Sequence, residues 1–328
     1  MARSSDLALP DLDPAALPRP GALMRVPGGE VFVRRTPARP RDPDDGSAPG
    51  AAGRALYVHG LGGASTNWTD LAGLLAVRVE GWALDLPGFG RSRPAARGAA
   101  SVRGHERVVT AVLGQIAAEP GPAVGQPVHL VGNSLGGVVS LLVAARRPDL
   151  VATLTLISPA MPVYRAPQVL GPSVLLLLFP GMTSVAARRL SAVSPEASVR
   201  GMVAMCFGDP SRIPPQRLTQ AVEEMRAQAE LDWASRSLAG SMRGLMLSYL
   251  RLGAGNAWRA ARTLTVPTLV VWGDRDRLVP PALAPRLAAA IPGSRLLVLP
   301  GVGHVAMLEA AEETARAVLA LLEDVADR

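Results

Sequence analysis

The stretch HLVGNSLGGVVSLLVAARRP, from His129 to Pro148, decides the fold. It begins as a short apolar run suited to a buried strand and continues from Ser134 to Arg147 with the spacing of a helix. Ser134 stands at the join, in Gly132-Asn133-Ser134-Leu135-Gly136, so a G-x-S-x-G pattern links strand to helix. So sharp a turn strains the central residue, and its neighbours must be tiny for strand and helix to approach. Gly132, Gly136 and Gly137 supply that room. The serine hydroxyl is thereby lifted to the carboxyl end of the sheet, where the helix start offers unpaired N–H groups and a positive dipole end. A glycine turn with a structural serine could carry the same five letters. The strand before it and the helix after it make Ser134 a candidate nucleophile.

Outward from this join the alternation repeats. ALYVHG, GWALDLPG, PVHLVGN, VATLTLIS, PTLVVWG and RLLVLPG are strand candidates, mostly continuous Val- and Leu-rich runs of the kind buried on both faces. Helix candidates lie between and after them at 68–77, 102–118, 134–147, 281–290 and 309–325. The expected fold class is α/β, a mostly parallel central sheet flanked by helices. ALMRVPGGEVFVRRT predicts a hairpin turned at Pro27, Gly28 and Gly29. Residues 1–20, rich in proline, predict a mobile leader, and the Pro/Gly/Asp-rich residues 37–53 a loop. Core residues are expected at 21–158 and 267–328. The intervening 159–266 predict a mainly helical insertion holding seven of the ten methionines, residues equally suited to lining an adaptable apolar pocket and to filling gaps between helices.

The composition narrows the function classes. The chain has 328 residues, 48% hydrophobic, enough for one large domain with a sizeable core. Its formal charge is +7, but all 34 basic residues are arginines, they are scattered, and aromatics are 4%, which argues against a nucleic-acid surface. The densest cluster, RRTPARPRD at Arg34 to Asp42, predicts a solvated linker. Cys206 stands alone, so no intrachain disulfide forms, and no Cys/His cluster has the spacing of a zinc site. The first twenty residues lack the apolar run of a secretory signal, and runs such as Val174 to Phe179 fall far short of the ~20 residues of a membrane span. A cytoplasmic protein without an integral membrane segment is the expectation.

A serine hydroxyl needs a base. Of the four histidines, His129 lies inside the strand leading to Ser134, His105 begins what reads as a surface helix, and His59 ends the first buried strand, where it shapes a loop. His304, in the loop after the last strand, emerges at the edge where Ser134 does and is the expected base. The imidazole in turn needs a carboxylate, and GDRD offers Asp274 and Asp276 after another strand; either could instead serve as a turn or capping residue.

Five motifs now stand in order: HGLGG at His59 to Gly63, DLPGFGRS at Asp85 to Ser92, GNSLGG at Gly132 to Gly137, WGDRDRLVP at Trp272 to Pro280 and GVGHVAMLE at Gly301 to Glu309. In this set and order the chain, from about Gly21 to its end, resembles the α/β-hydrolase superfamily, with 159–266 resembling its variable cap. The resemblance implies that the acid is Asp276, three residues past Gly273, that Asp274 shapes the turn and Asp85 is structural, and that Leu61 and Leu135 donate backbone N–H groups to an oxyanion. It implies acyl transfer on Ser134 without a metal or organic cofactor, most naturally hydrolysis of a carboxylic ester of a hydrophobic small molecule. Hydrolysis of thioesters, amides, lactones or C–C bonds, and a non-catalytic ligand-binding receptor on the same fold, are the other readings. Epoxide opening and halide displacement, which use a carboxylate nucleophile, are disfavoured by the serine.

Overall fold

Burial of alternate side chains on opposite faces organises the molecule. The computed structural model describes residues 2–13, 15–39, 53–94, 100–163, 176–179 and 181–326. Eight strands, β1 (Gly21–Val26), β2 (Gly29–Thr36), β3 (Gly53–Val58), β4 (Val79–Leu84), β5 (Val128–Asn133), β6 (Val151–Ile157), β7 (Thr268–Gly273) and β8 (Arg295–Leu299), form one sheet in the order β1-β2-β4-β3-β5-β6-β7-β8. The expected hairpin is present: β1 and β2 are antiparallel, as are β2 and β4, whereas every pairing from β4 to β8 is parallel. On β3, Leu56 and Val58 join one hydrophobic layer and Ala55 and Tyr57 the other. On β7, Val270 and Trp272 face the first layer and Leu269 and Val271 the second.

Helices close both layers. The first lies under α2 (Val102–Ala118) and α3 (Ser134–Arg146), and the second under α1 (Thr69–Leu75). Between β6 and β7 come α4 (Met182–Ser191), α5 (Pro195–Cys206), α6 (Pro215–Ala229), α7 (Ala234–Tyr249) and α8 (Ala257–Arg262), the last packed on α3. After β7 and β8 come α9 (Leu283–Ala290), which joins the first layer, then α10 (Ala306–Glu309) and α11 (Ala311–Ala326), which complete the second. Full burial of each large apolar side chain contributes about 1.5–3 kcal/mol, so the two layers carry the fold. Among the described residues no helix is long and apolar enough to cross a membrane.

Within the leader, Ser5 is buried, its hydroxyl donates to Glu323 at 2.6 Å, and the Ala2 N–H donates to the Leu296 carbonyl on the exposed edge of β8. An unpaired strand edge recruits backbone donors, which explains the placement. The basic cluster is not wholly solvated, because Arg34 is buried and donates to Ser65 Oγ and to the Arg19 carbonyl. Of the insertion's methionines, Met161 and Met246 fill the core while Met205 is exposed. The loop expected at 37–53 lies mostly outside the described residues, as do residues 173–175 and 180 of the apolar run SVLLLLFPGM.

A buried cation ends α2. Ser101 caps the helix start, its hydroxyl accepting from the Gly104 N–H at 3.0 Å. At the other end Arg54, only 3% exposed, donates to the carbonyls of Ile116, Pro120 and Ala123 at 3.0–3.2 Å. Helix C-termini leave carbonyls unpaired and favour a positive charge. Arg54→Met keeps much of the stem and removes every donor, so chemical denaturation is expected to report a loss of about 3 kcal/mol, on the scale of one charge-assisted hydrogen bond and the buried carbonyls left behind.

Candidate active site

The strain foreseen at Ser134 is present. Its φ is +54°, in the left-handed region that L-residues avoid, at the point where β5 becomes α3. The close approach that requires it is equally concrete. A Cβ on Gly136 would strike the carbonyl oxygens of Val58 and His59, and one on Gly132 would lie 2.5 Å from the Gly136 oxygen. Gly60 abuts the nucleophile candidate itself: a Cβ there would fall 2.9 Å from Ser134 Cβ. The loop carrying Leu61 is thus seated beside Ser134, while Leu135, fully buried, lies in the first turn of α3 where N–H groups have no intrahelical acceptor.

The two carboxylates after β7 have different partners. Asp274 Oδ1 accepts the Gly301 N–H at 2.7 Å and so joins the turn after β7 to the turn after β8. Asp276 is buried; its Oδ1 accepts the N–H groups of Leu278 and Val279, both at 2.9 Å, and its Oδ2 meets His304 Nδ1 at 2.8 Å. A carboxylate opposite Nδ1 keeps the ring proton there and leaves Nε2 to accept another. His304 is itself buried, and its backbone N–H donates to the Cys206 carbonyl at 2.6 Å.

Asn133, a mere spacer in the motif, proves to be a joint. Its Nδ2 donates to the carbonyls of Ile157 and His304, each at 3.1 Å, so the residue before Ser134 grips the backbone of His304. The available signal was a polar side chain at the end of a buried strand, which must find partners.

The remaining histidines are occupied elsewhere. His59 Nδ1 donates to the Gly60 carbonyl and Nε2 accepts the Leu86 N–H, and burial lowers its pKa despite the attraction of nearby Asp85. Asp85 accepts the N–H groups of Ser65 and Arg91. His129 pairs with Thr153 Oγ1 at 2.9 Å, and burial pushes it down to about 4. His105 is not on a surface: it is fully buried, meets Ser241 Oγ on α7 at 3.3 Å, and is pushed down to about 3 by burial and then by His59. The helical insertion covers a face of α2 that sequence alone leaves open.

Such histidines make stability fall in acid. The unfolded chain takes up protons below its ordinary pKa of 6.5, whereas the fold refuses them until about pH 3 at His105. The contribution of these histidines is therefore complete above pH 6.5 and declines as pH drops, by up to ~1.4 kcal/mol per pH unit from His105. Thermal unfolding followed from pH 7 to 4 is expected to show this slope, and His105→Leu to flatten it.

Comparison with known proteins places these features in company. The profile of the Alpha/beta hydrolase family matches residues 55–317. The chain is 31% identical over 274 residues to the dihydrolipoyllysine-residue acetyltransferase component of the acetoin cleaving system of Pseudomonas putida, covering 81% of this chain and 62% of that protein. Thus it spans less than two thirds of that relative's length. It is 27% identical over 275 residues to the 2-hydroxy-6-oxononadienedioate/2-hydroxy-6-oxononatrienedioate hydrolase of Cupriavidus pinatubonensis, covering 81% of this chain and 86% of that one. Among solved structures, a membrane phospholipase A described as a bacterial virulence factor superposes with a TM-score of 0.71 at 25% identity, over 95% of this chain and 88% of the other.

Proposed function

Since the chain belongs to the alpha/beta hydrolase family, we propose that it cleaves carboxylic esters of hydrophobic small molecules through an acyl-enzyme on Ser134, with His304 as base and Asp276 as its partner. A hydrolase is what the family and the likeness to the Cupriavidus hydrolase support. The observation that carries the acyl-enzyme reading is the linked set of Ser134 in a strained turn, Asn133 holding His304, and Asp276 on His304 Nδ1 at 2.8 Å.

The reaction runs in two halves. His304 Nε2 takes the Ser134 proton as Oγ attacks the carbonyl carbon, and the carbonyl electron pair moves onto oxygen. The oxyanion is received by the N–H groups of Leu61 and Leu135, donors fixed before the charge develops. The tetrahedral adduct collapses, the C–O bond to the leaving group breaks, and His304 delivers its proton to the departing alkoxide. Water, deprotonated by His304, then releases the acid and restores Ser134. Residues 159–266 form the cap in this reading. Leu238 of α7, 3.7 Å from where a Gly62 Cβ would stand, supports an apolar substrate because it brings a leucine to the oxyanion loop.

A second reading, cleavage of a C–C bond beside a carbonyl, is favoured by the likeness to the Cupriavidus hydrolase across most of its length. Turnover of p-nitrophenyl esters against diketone substrates separates the two. Wild type is expected to hydrolyse short and medium chain p-nitrophenyl esters and to label with a fluorophosphonate, and Ser134→Ala to do neither. Unlabelled, inactive wild type would sink the enzyme reading.

The acid assignment has its own check. Asp276→Asn removes the acceptor that fixes the His304 tautomer and is expected to lower kcat about 10,000-fold. Asp274→Asn keeps an oxygen for Gly301 and is expected to cost less than about 10-fold, since a neutral amide oxygen can still accept that N–H. A reversed ranking in steady-state kinetics would move the acid to Asp274.

A further inference from the structure

Glu309 takes no part in the proposed reaction, yet it is buried and saturated with donors. Its Oε2 accepts the Gly303 N–H at 2.8 Å and the Gly208 N–H at 3.0 Å, and its Oε1 accepts the Asp209 N–H at 2.7 Å. Gly303 immediately precedes His304, whereas Gly208 and Asp209 follow α5 in the helical insertion. One carboxylate therefore binds two segments about a hundred residues apart.

The two segments also touch directly. The His304 N–H donates to the Cys206 carbonyl at 2.6 Å, and a Cβ on Gly208 would fall 2.9 Å from the Gly303 nitrogen. A Cβ on Gly303 would in turn lie 2.5 Å from the Gly208 nitrogen. No side chain fits between them, so backbone meets backbone, and the N–H groups of Gly208, Asp209 and Gly303 converge on Glu309. An ionised carboxylate, acceptor on both oxygens, suits three converging donors; an amide does not.

We infer that Glu309 is a positioning residue, fastening the backbone of His304 to the exit of α5 so that the attachment of the insertion sets the reach of the imidazole toward Ser134. The inference rests on the reading of His304 as the base. His304 is then held at three points: Asp276 fixes the ring, Asn133 fixes the carbonyl oxygen, and Glu309 with Cys206 fixes the N-terminal side. Movement of the insertion at 206–209 would be transmitted to the catalytic base through this carboxylate. A shift of about 1 Å in a catalytic group can cost about 100-fold in rate.

The test is a double-mutant cycle in the full-length chain. Glu309→Gln is isosteric but turns one acceptor into a donor facing an N–H. In otherwise wild-type protein it is expected to lower kcat for p-nitrophenyl esters about 100-fold with KM changed less than about 3-fold, and to slow fluorophosphonate labelling of Ser134 in parallel. In a His304→Ala background it is expected to cause no further loss in residual hydrolysis, because a residue acting only through His304 has nothing left to position. Equal losses in both backgrounds, or kcat unchanged in the single variant, would overturn the inference. If Glu309→Gln fails to fold, Glu309→Asp, which keeps both acceptors on a shorter stem, is put through the same cycle with the same outcomes deciding. Wild type that does not label defeats the reading of Ser134 and this inference with it, whereas labelling at equal rates in wild type and Glu309→Gln defeats this inference alone.

Discussion

The backbone of α3 meets the end of β3 at Gly136, where any side chain would strike the carbonyl oxygens of Val58 and His59. From that contact follow the strained φ of Ser134, because β5 must turn at once to bring α3 so close, and the seating of Gly60 against Ser134 Cβ. The nucleophile candidate and the loop with Leu61 are thus positioned by one packing constraint. It needs glycine on one side and bare backbone on the other, and it would be lost with a single methyl group.

Carboxylates extend the same logic to the loops. Asp85 accepts from Ser65 and Arg91, Asp274 from Gly301, Asp276 from Leu278 and Val279, and Glu309 from Gly303, Gly208 and Asp209. Irregular backbone at the sheet's carboxyl end carries donors with no strand partner, and acidic side chains supply the acceptors. Asp276 differs in what its second oxygen meets: with Leu278 and Val279 on Oδ1, its Oδ2 faces His304 Nδ1.

What the sequence disclosed tracks what is local. The strands and the core helices are legible because each depends on its own periodicity, and Ser134 because strand, glycines and helix are contiguous. The choice between Asp274 and Asp276 came from a resemblance; from residues alone both are acids in one turn, and only the fold separates the one that ties two turns together from the one that faces His304. His105 was misjudged because its burial comes from α7, more than a hundred residues onward. Glu309 was visible only as the last letter of a motif, since its partners at 208–209 belong to a different part of the chain. Ser5 was hidden likewise, being buried by contacts with residues 316 and 323.

These long-range ties explain how a candidate base can be held on a loop. A histidine on a strand, such as His129, is fixed by its ladder but held neutral by its surroundings, and its side chain is spent on Thr153. His304 has no ladder, so its position is assembled from single hydrogen bonds contributed by β5, by the turn after β7 and by the insertion. Each contributor answers to a different part of the molecule: β5 to the core, the turn to the sheet edge, the insertion to whatever lies beneath it. A histidine held this way answers to the insertion as well as to the core, so the role proposed for His304 depends on both.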